Sequence, residues 1–145
     1  MGYRSEVAYR IVFSNKQVLN EFIALVMMKG NEERKALSEC EIEVQDNGRA
    51  ECFVNFYAQD VKWYTSYVDV AAHTWLYEFA VERFPDDCAY HYIRVGEESG
   101  DIEDEEGGSD DFIDEVRDSF YPVTTLELPF SHAYEPVGDN LRVIE

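Results

Sequence analysis

The sequence predicts an α+β domain: an antiparallel sheet with two helices on one face, followed by one or two acidic C-terminal strands. Three observations predict it. Runs rich in Val, Ile, Tyr and Phe alternate with two segments whose apolar residues recur at helical spacing. An Asn-Gly pair stands between two of those runs, the strongest short-range hairpin signal. At 145 residues and 46% hydrophobic content, the chain has material for one core and reads as a single domain over 1–145.

The elements follow in order. Residues 5–13 are dense in β-branched and aromatic side chains and read as a strand. Ser14 or Asn15 offers an N-cap. Val18, Leu19, Phe22, Ile23, Leu25 and Val26 then mark an amphipathic helix over 15–29, stopped by Gly30. Residues 31–39 are polar and read as a helical turn or loop. Ile42 and Val44 alternate with Glu41, Glu43 and Gln45, so strands are expected at 40–46 and 50–58, joined by Asp46-Asn47-Gly48. Val68, Ala72, Trp75, Leu76 and Phe79 predict a helix over 68–83 that stops before Pro85. Residues 88–95 read as a mostly buried strand. Ile102 and its neighbours suggest a short exposed strand, turned by Gly107 and Gly108, with Phe112–Phe120 returning as another. The resulting β-α-β-β-α-β order is ferredoxin-like, or split β-α-β.

Charge is unevenly placed. The chain carries 31 acidic and 12 basic residues, a net of −19. Residues 97–145 hold 16 of the acids and only two of the bases. Between Glu97 and Asp118 there are 12 carboxylates, and only Arg117 opposes them. Such crowding costs stability through self-repulsion. It disfavours direct nucleic-acid binding, which needs clustered Lys and Arg, and it disfavours an anionic membrane surface. No run of about 18 apolar residues is present to span a membrane, and the first ten residues do not read as a signal peptide. Cys40, Cys52 and Cys88 lack the paired spacing of a disulfide framework and read as reduced thiols.

No catalytic motif stands out. His73, His91 and His132 are far apart in sequence, without ligand-type spacing, and read as ordinary surface or sheet histidines. An EF-hand register starting at Asp101 places Glu106 where Gly is needed and Phe112 where the bidentate Glu is needed. Neither a metal nor a cofactor is expected, and the chain is not read as an enzyme. A second reading keeps a small-ligand or enzymatic pocket gathering Tyr64, Tyr67, His73 and His91; a third is a phage assembly or accessory protein. Trp63, Tyr64 and Tyr67 beside Lys62 form a compact aromatic patch, either a partner-binding surface or the cover over a sheet end.

The acidic segment is the leading candidate for a partner-binding site: Glu97, Glu98, Asp101, Glu103, Asp104, Glu105, Glu106, Asp110, Asp111, Asp114, Glu115 and Asp118. Folded back as a hairpin it would stretch roughly 35–40 Å, about one charge per 3 Å, against about 3.4 Å along each strand of duplex DNA. Glu127, Glu135, Asp139 and Glu145 could extend the same face. A solvated loop that keeps the protein soluble is the plain alternative.

Gly2-Tyr3-Arg4-Ser5 at the start, Val61-Lys62-Trp63-Tyr64 ahead of a helix and Gly96-Glu97 followed by Asp101-Ile102-Glu103 together resemble a group of small phage and prophage proteins. The resemblance runs through roughly the first 105 residues. It departs at Val68, where those proteins would carry Pro. It implies phage origin and action in the host cytoplasm, and it carries over no catalytic residues. The expected function is therefore an acidic mimic of nucleic acid that occupies a basic host enzyme of the CRISPR or restriction type, an anti-defence inhibitor.

Overall fold

The structure, a computed structural model, describes residues 2–44 and 52–113. Five antiparallel strands form one sheet in the order β2-β3-β1-β4-β5. They are β1 (Ser5–Phe13), β2 (Glu41–Val44), β3 (Cys52–Val61), β4 (Cys88–Gly96) and β5 (Ile102–Gly108). The helices are α1 (Lys16–Lys29), α2 (Asn31–Ser38) and α3 (Val68–Arg83). β1 and β2 flank β3, and β3 and β4 flank β1. Two split β-α-β units are thus interleaved, and the α+β expectation holds.

Local chemistry explains most boundaries. Asn15 caps α1 by accepting a hydrogen bond from the Val18 N–H at 3.0 Å, while Ser14 bonds Asp87 instead. The polar stretch after Gly30 forms a full helix, α2, which buries Ala36 and Leu37 and packs against α1 and α3, so the described residues hold three helices rather than two. β3 runs to Val61, beyond the expected end at 58. Its pairing with β1 slips between Ser5 and Val7, leaving an extra residue on β3, where Asp60 takes a left-handed φ of 59°. The expected Asp46-Asn47-Gly48 turn lies outside the described residues.

One correction concerns the acidic segment. β5 is the second arm of a hairpin with β4, closed by residues 97–101, and Gly107 and Gly108 do not fold it back. The chain instead leaves Gly108 through Ser109 into a helical turn over 110–113. Ser109 caps that turn: its side chain accepts from the Asp111 N–H at 3.2 Å, and its carbonyl accepts from Phe112 and Ile113. The expected return strand from Phe112 to Phe120 is therefore helical where it begins; its remainder lies outside the described residues.

The main core joins all three helices to one sheet face, through Tyr9, Ile11, Phe13, Phe22, Val54, Leu76 and Tyr77 among others. The opposite face carries two smaller apolar clusters, one around Val12, Phe53, Ala89 and Phe112 and one around Ala8, Ile93 and Val95. Every residue of β1 is buried, so the central strand contributes to both faces. Among the described residues, no helix is long and apolar enough to cross a membrane. All three cysteines are free thiols, with Cys52 and Cys88 buried.

Candidate functional site

The acidic strand β5 lies at the outer edge of the sheet as described, paired to β4. Successive side chains of a strand alternate between faces. Tyr92 pairs with Glu105 and Arg94 with Glu103, so those two carboxylates share the helix side with the β4 phenols. His91 pairs with Glu106 and Ile93 with Asp104, on the other side. All four carboxyl residues from Glu103 to Glu106 are exposed, as are Glu97, Glu98, Asp110 and Asp111.

β4 supplies donors to this acidic strand. The Tyr92 hydroxyl donates to Glu103 at 3.0 Å, and the Arg94 Nε lies 3.1 Å from the same carboxylate. The Tyr90 hydroxyl donates to Glu105 at 3.4 Å, and His91 Nε2 meets Asp104 at 2.6 Å. Arg94 also donates to Asp101 through Nη2 at 2.8 Å, and the Tyr3 hydroxyl donates to Asp101 at 2.7 Å. The Tyr3 oxygen in turn accepts from the Glu98 N–H, and Glu97 accepts from the Arg4 N–H at 2.5 Å. The N-terminal residues thus strap the hairpin turn to the start of β1.

The electrostatics follow from these contacts. Arg94, and after it Tyr3, hold the Asp101 carboxyl below its usual range. Burial works against the Arg94 charge, but Asp101 and Glu103 outweigh it and hold its pKa above the usual value. Burial, reinforced by Glu105, pushes the Tyr90 phenol up to about 12. Burial, with Glu103 behind it, raises Tyr92 too. The phenols therefore stay protonated and remain donors to the carboxylates through the neutral range.

Of the residues singled out in the sequence, Glu97, Glu98, Asp101 and Glu103–Glu106 come together on this hairpin. Asp110 and Asp111 follow in the helical turn. Asp114, Glu115 and Asp118, together with Glu127, Glu135, Asp139 and Glu145, lie outside the described residues, as does His132. Tyr90, Tyr92 and Arg94 were not anticipated. Their signal was a cross-strand one: an aromatic and basic strand beside an acidic one, which opposite-charge pairing favours.

The aromatic patch packs partly into the fold, while Tyr67 is exposed. The Trp63 ring packs on Phe56 and His73, each at 5.7 Å between centroids. The Tyr64 hydroxyl accepts from the Tyr3 N–H at 2.7 Å, and Tyr67 meets Tyr64 edge-on. His73 bonds Tyr9 in the main core, whereas His91 faces the opposite side of the sheet. Tyr64, Tyr67, His73 and His91 therefore do not converge. A cleft of about 330 Å³ opens beside Glu97, between Arg4, Glu6 and Asp60, and Tyr64, Tyr67, His73 and His91 do not line it. Comparison with known proteins finds no matching family model, no matching curated protein and no matching solved structure.

Proposed function

We propose that this protein binds a basic partner through the β4–β5 hairpin, in place of a nucleic acid. The observation that carries the reading is the exposed run Glu103-Asp104-Glu105-Glu106 on the outermost described strand. An antiparallel strand rises about 3.4 Å per residue and its side chains alternate between faces, so the run sets one carboxylate per about 3.4 Å along the edge but one per about 6.8 Å on each face. Taken along the edge, the charge density is comparable to about one phosphate per 3.4 Å along one strand of duplex DNA. The donors on β4 support the reading further. They hold Glu103, Asp104 and Glu105 in place, which lowers the ordering cost of association. A charged surface of this kind speeds encounter and makes binding strongly salt-dependent.

The partner is a host nucleic-acid-binding enzyme of the CRISPR or restriction type, whose Arg and Lys groove the hairpin occupies competitively. The protein is phage-encoded and acts in the host cytoplasm, as its resemblance to small phage and prophage proteins suggests. The test is capture from host lysate at low and high salt, using the original chain beside a Glu103→Lys, Asp104→Lys, Glu105→Lys, Glu106→Lys variant. All four positions are exposed. Circular dichroism first establishes that the variant is folded. The original should capture a basic nucleic-acid enzyme, release it at high salt and displace its duplex substrate; the variant should bind at least tenfold more weakly. Equal capture by both, or capture insensitive to salt, overturns the proposal.

A further inference from the structure

The cleft of about 330 Å³ lies where the start of β1 meets the ends of β3 and β4. Strand register produces it. Ser5 pairs with Val61 and Val7 with Ala58, so Glu6 alone faces both Gln59 and Asp60. On its other side Glu6 pairs with Val95. The floor of the cleft is buried, at Glu6 and Val95, and its rim is exposed, at Gln59, Asp60 and Glu97. Alternation along the strands puts Glu6 and Val95 on the face of Ala8 and Ile93, away from the helices. Asp104 and Glu106 of β5 share that face, so the cleft is continuous with the acidic hairpin.

Three carboxylates surround the cleft, those of Glu6, Asp60 and Glu97, against the one guanidinium of Arg4. Two of the three are held from behind. Glu6 Oε2 accepts from the Tyr57 hydroxyl at 2.6 Å, and Glu97 Oε2 accepts from the Arg4 N–H at 2.5 Å. Carboxylates fixed in advance lower the ordering cost of receiving a cation. Val95 gives the floor an apolar surface against which the methylenes of a long cationic side chain can lie. A guanidinium already sits at the rim: Arg4 Nη1 donates to the Asp60 carbonyl at 3.3 Å. The volume is at the low end of the range for small-ligand pockets, about 300–1,000 Å³, and suits one side chain.

We propose that this cleft is the socket for one arginine side chain of the basic partner. The proposal rests on the partner reading above and adds a fixed point to it. The run on β5 supplies spread charge, which speeds encounter; the socket supplies one directional contact, which sets how the partner sits. Arginine suits it better than lysine. A planar guanidinium donates in several fixed directions at once, and the acceptors here come from three strand ends and not from a single point. Arginine is also among the side chains that most often anchor the centre of an interface.

N-acetyl-arginine amide, titrated into the isotope-labelled full chain and followed by NMR, tests the socket without the partner. Saturable shifts should centre on the amides of Glu6, Gln59, Asp60 and Gly96, with a dissociation constant in the millimolar range. N-acetyl-citrulline amide keeps the shape without the charge, and N-acetyl-lysine amide keeps the charge without the fork; each should bind about threefold or more weaker. Asp60→Asn removes a charge yet keeps a residue that tolerates the left-handed φ of 59°. That variant, and Glu97→Gln beside it, should each weaken the arginine probe about threefold. No saturable shift, equal binding of either control, shifts centred on Glu103–Glu106, or unchanged affinity in both variants overturns the socket. Its failure is separable from that of the partner reading. Capture from lysate with an unresponsive cleft sinks the socket alone, and a cleft that binds the probe while capture fails sinks the partner reading.

Discussion

Arg10 lies in the central strand on the face away from the helices, with its guanidinium 4.6 Å above the Phe53 ring. Its Nε donates to Asn55 at 2.7 Å, its Nη2 lies 3.3 Å from Glu43, and the Asn55 amide donates to the same Glu43 oxygen at 3.0 Å. Burial lowers the Arg10 pKa, and Glu43 offsets part of that shift. Truncation leaves a shielded carboxylate and amide without their cation. Arg10→Ala should therefore cost about 3 kcal/mol. Glu43→Gln, at a partly exposed position, should cost about 1 kcal/mol. Urea denaturation of the two variants measures both, and an Arg10→Ala effect no larger than that of Glu43→Gln would contradict the account. Nothing in the sequence marked Arg10, because its partners lie 33 and 45 positions away. Only the register of three strands brings them together. His73 was singled out, but not its partners: Tyr9 and Glu39 precede it by 64 and 34 positions.

The β4–β5 hairpin contains two glycines that test its geometry separately. Gly100, in the turn, has a φ of +85° with open space where a side chain would stand. Gly100→Ala therefore meets only the left-handed penalty of about 1–2 kcal/mol. Gly108, where β5 ends, has a φ of +110°, and a Cβ there would lie 2.6 Å from the Ala89 Cα and against the Cys88 carbonyl. Backbone cannot yield as a flexible side chain does, so Gly108→Ala should cost about 3 kcal/mol or more. Equal midpoints in thermal unfolding for the two variants would contradict this. Most elements were legible locally: β1 and β4 from their β-branched and aromatic density, α1 from Asn15 and its apolar spacing, α3 from the pattern up to Pro85. α2 was harder, since only Ala36 and Leu37 give it an apolar side. The helical turn after β5 was misread as part of a strand. Its signal was present in Ser109 followed by two aspartates, a cap with acids in the first turn.

At the scale of the molecule, fold class was legible because it depends on periodicity and element order, both local to the chain. The donor network behind the acidic strand was not, because it depends on which β4 residue stands opposite which β5 residue. The molecule's response to alkali depends on the same packing. Tyr9 and Tyr77 have phenol pKa values raised well above the ordinary range, chiefly by burial, and Tyr90 is pushed up to about 12. Burial also raises the thiols of Cys40 and Cys88. In the unfolded chain phenols ionise near pH 10 and thiols near 8.5. The folded values are the higher ones, so this contribution to stability is fully present below the unfolded pKa. It is lost as pH rises through the window toward the folded pKa. A phenol as buried as Tyr9 adds up to a tenfold increase in the unfolding constant per pH unit across that window. Several groups acting together should make the loss steep. The expectation is cooperative unfolding beginning near pH 10, with tyrosinate absorbance rising in step with the loss of circular dichroism. Phenols that all ionise near pH 10 while the circular dichroism stays unchanged would show that the core is open to hydroxide, contrary to the packing described.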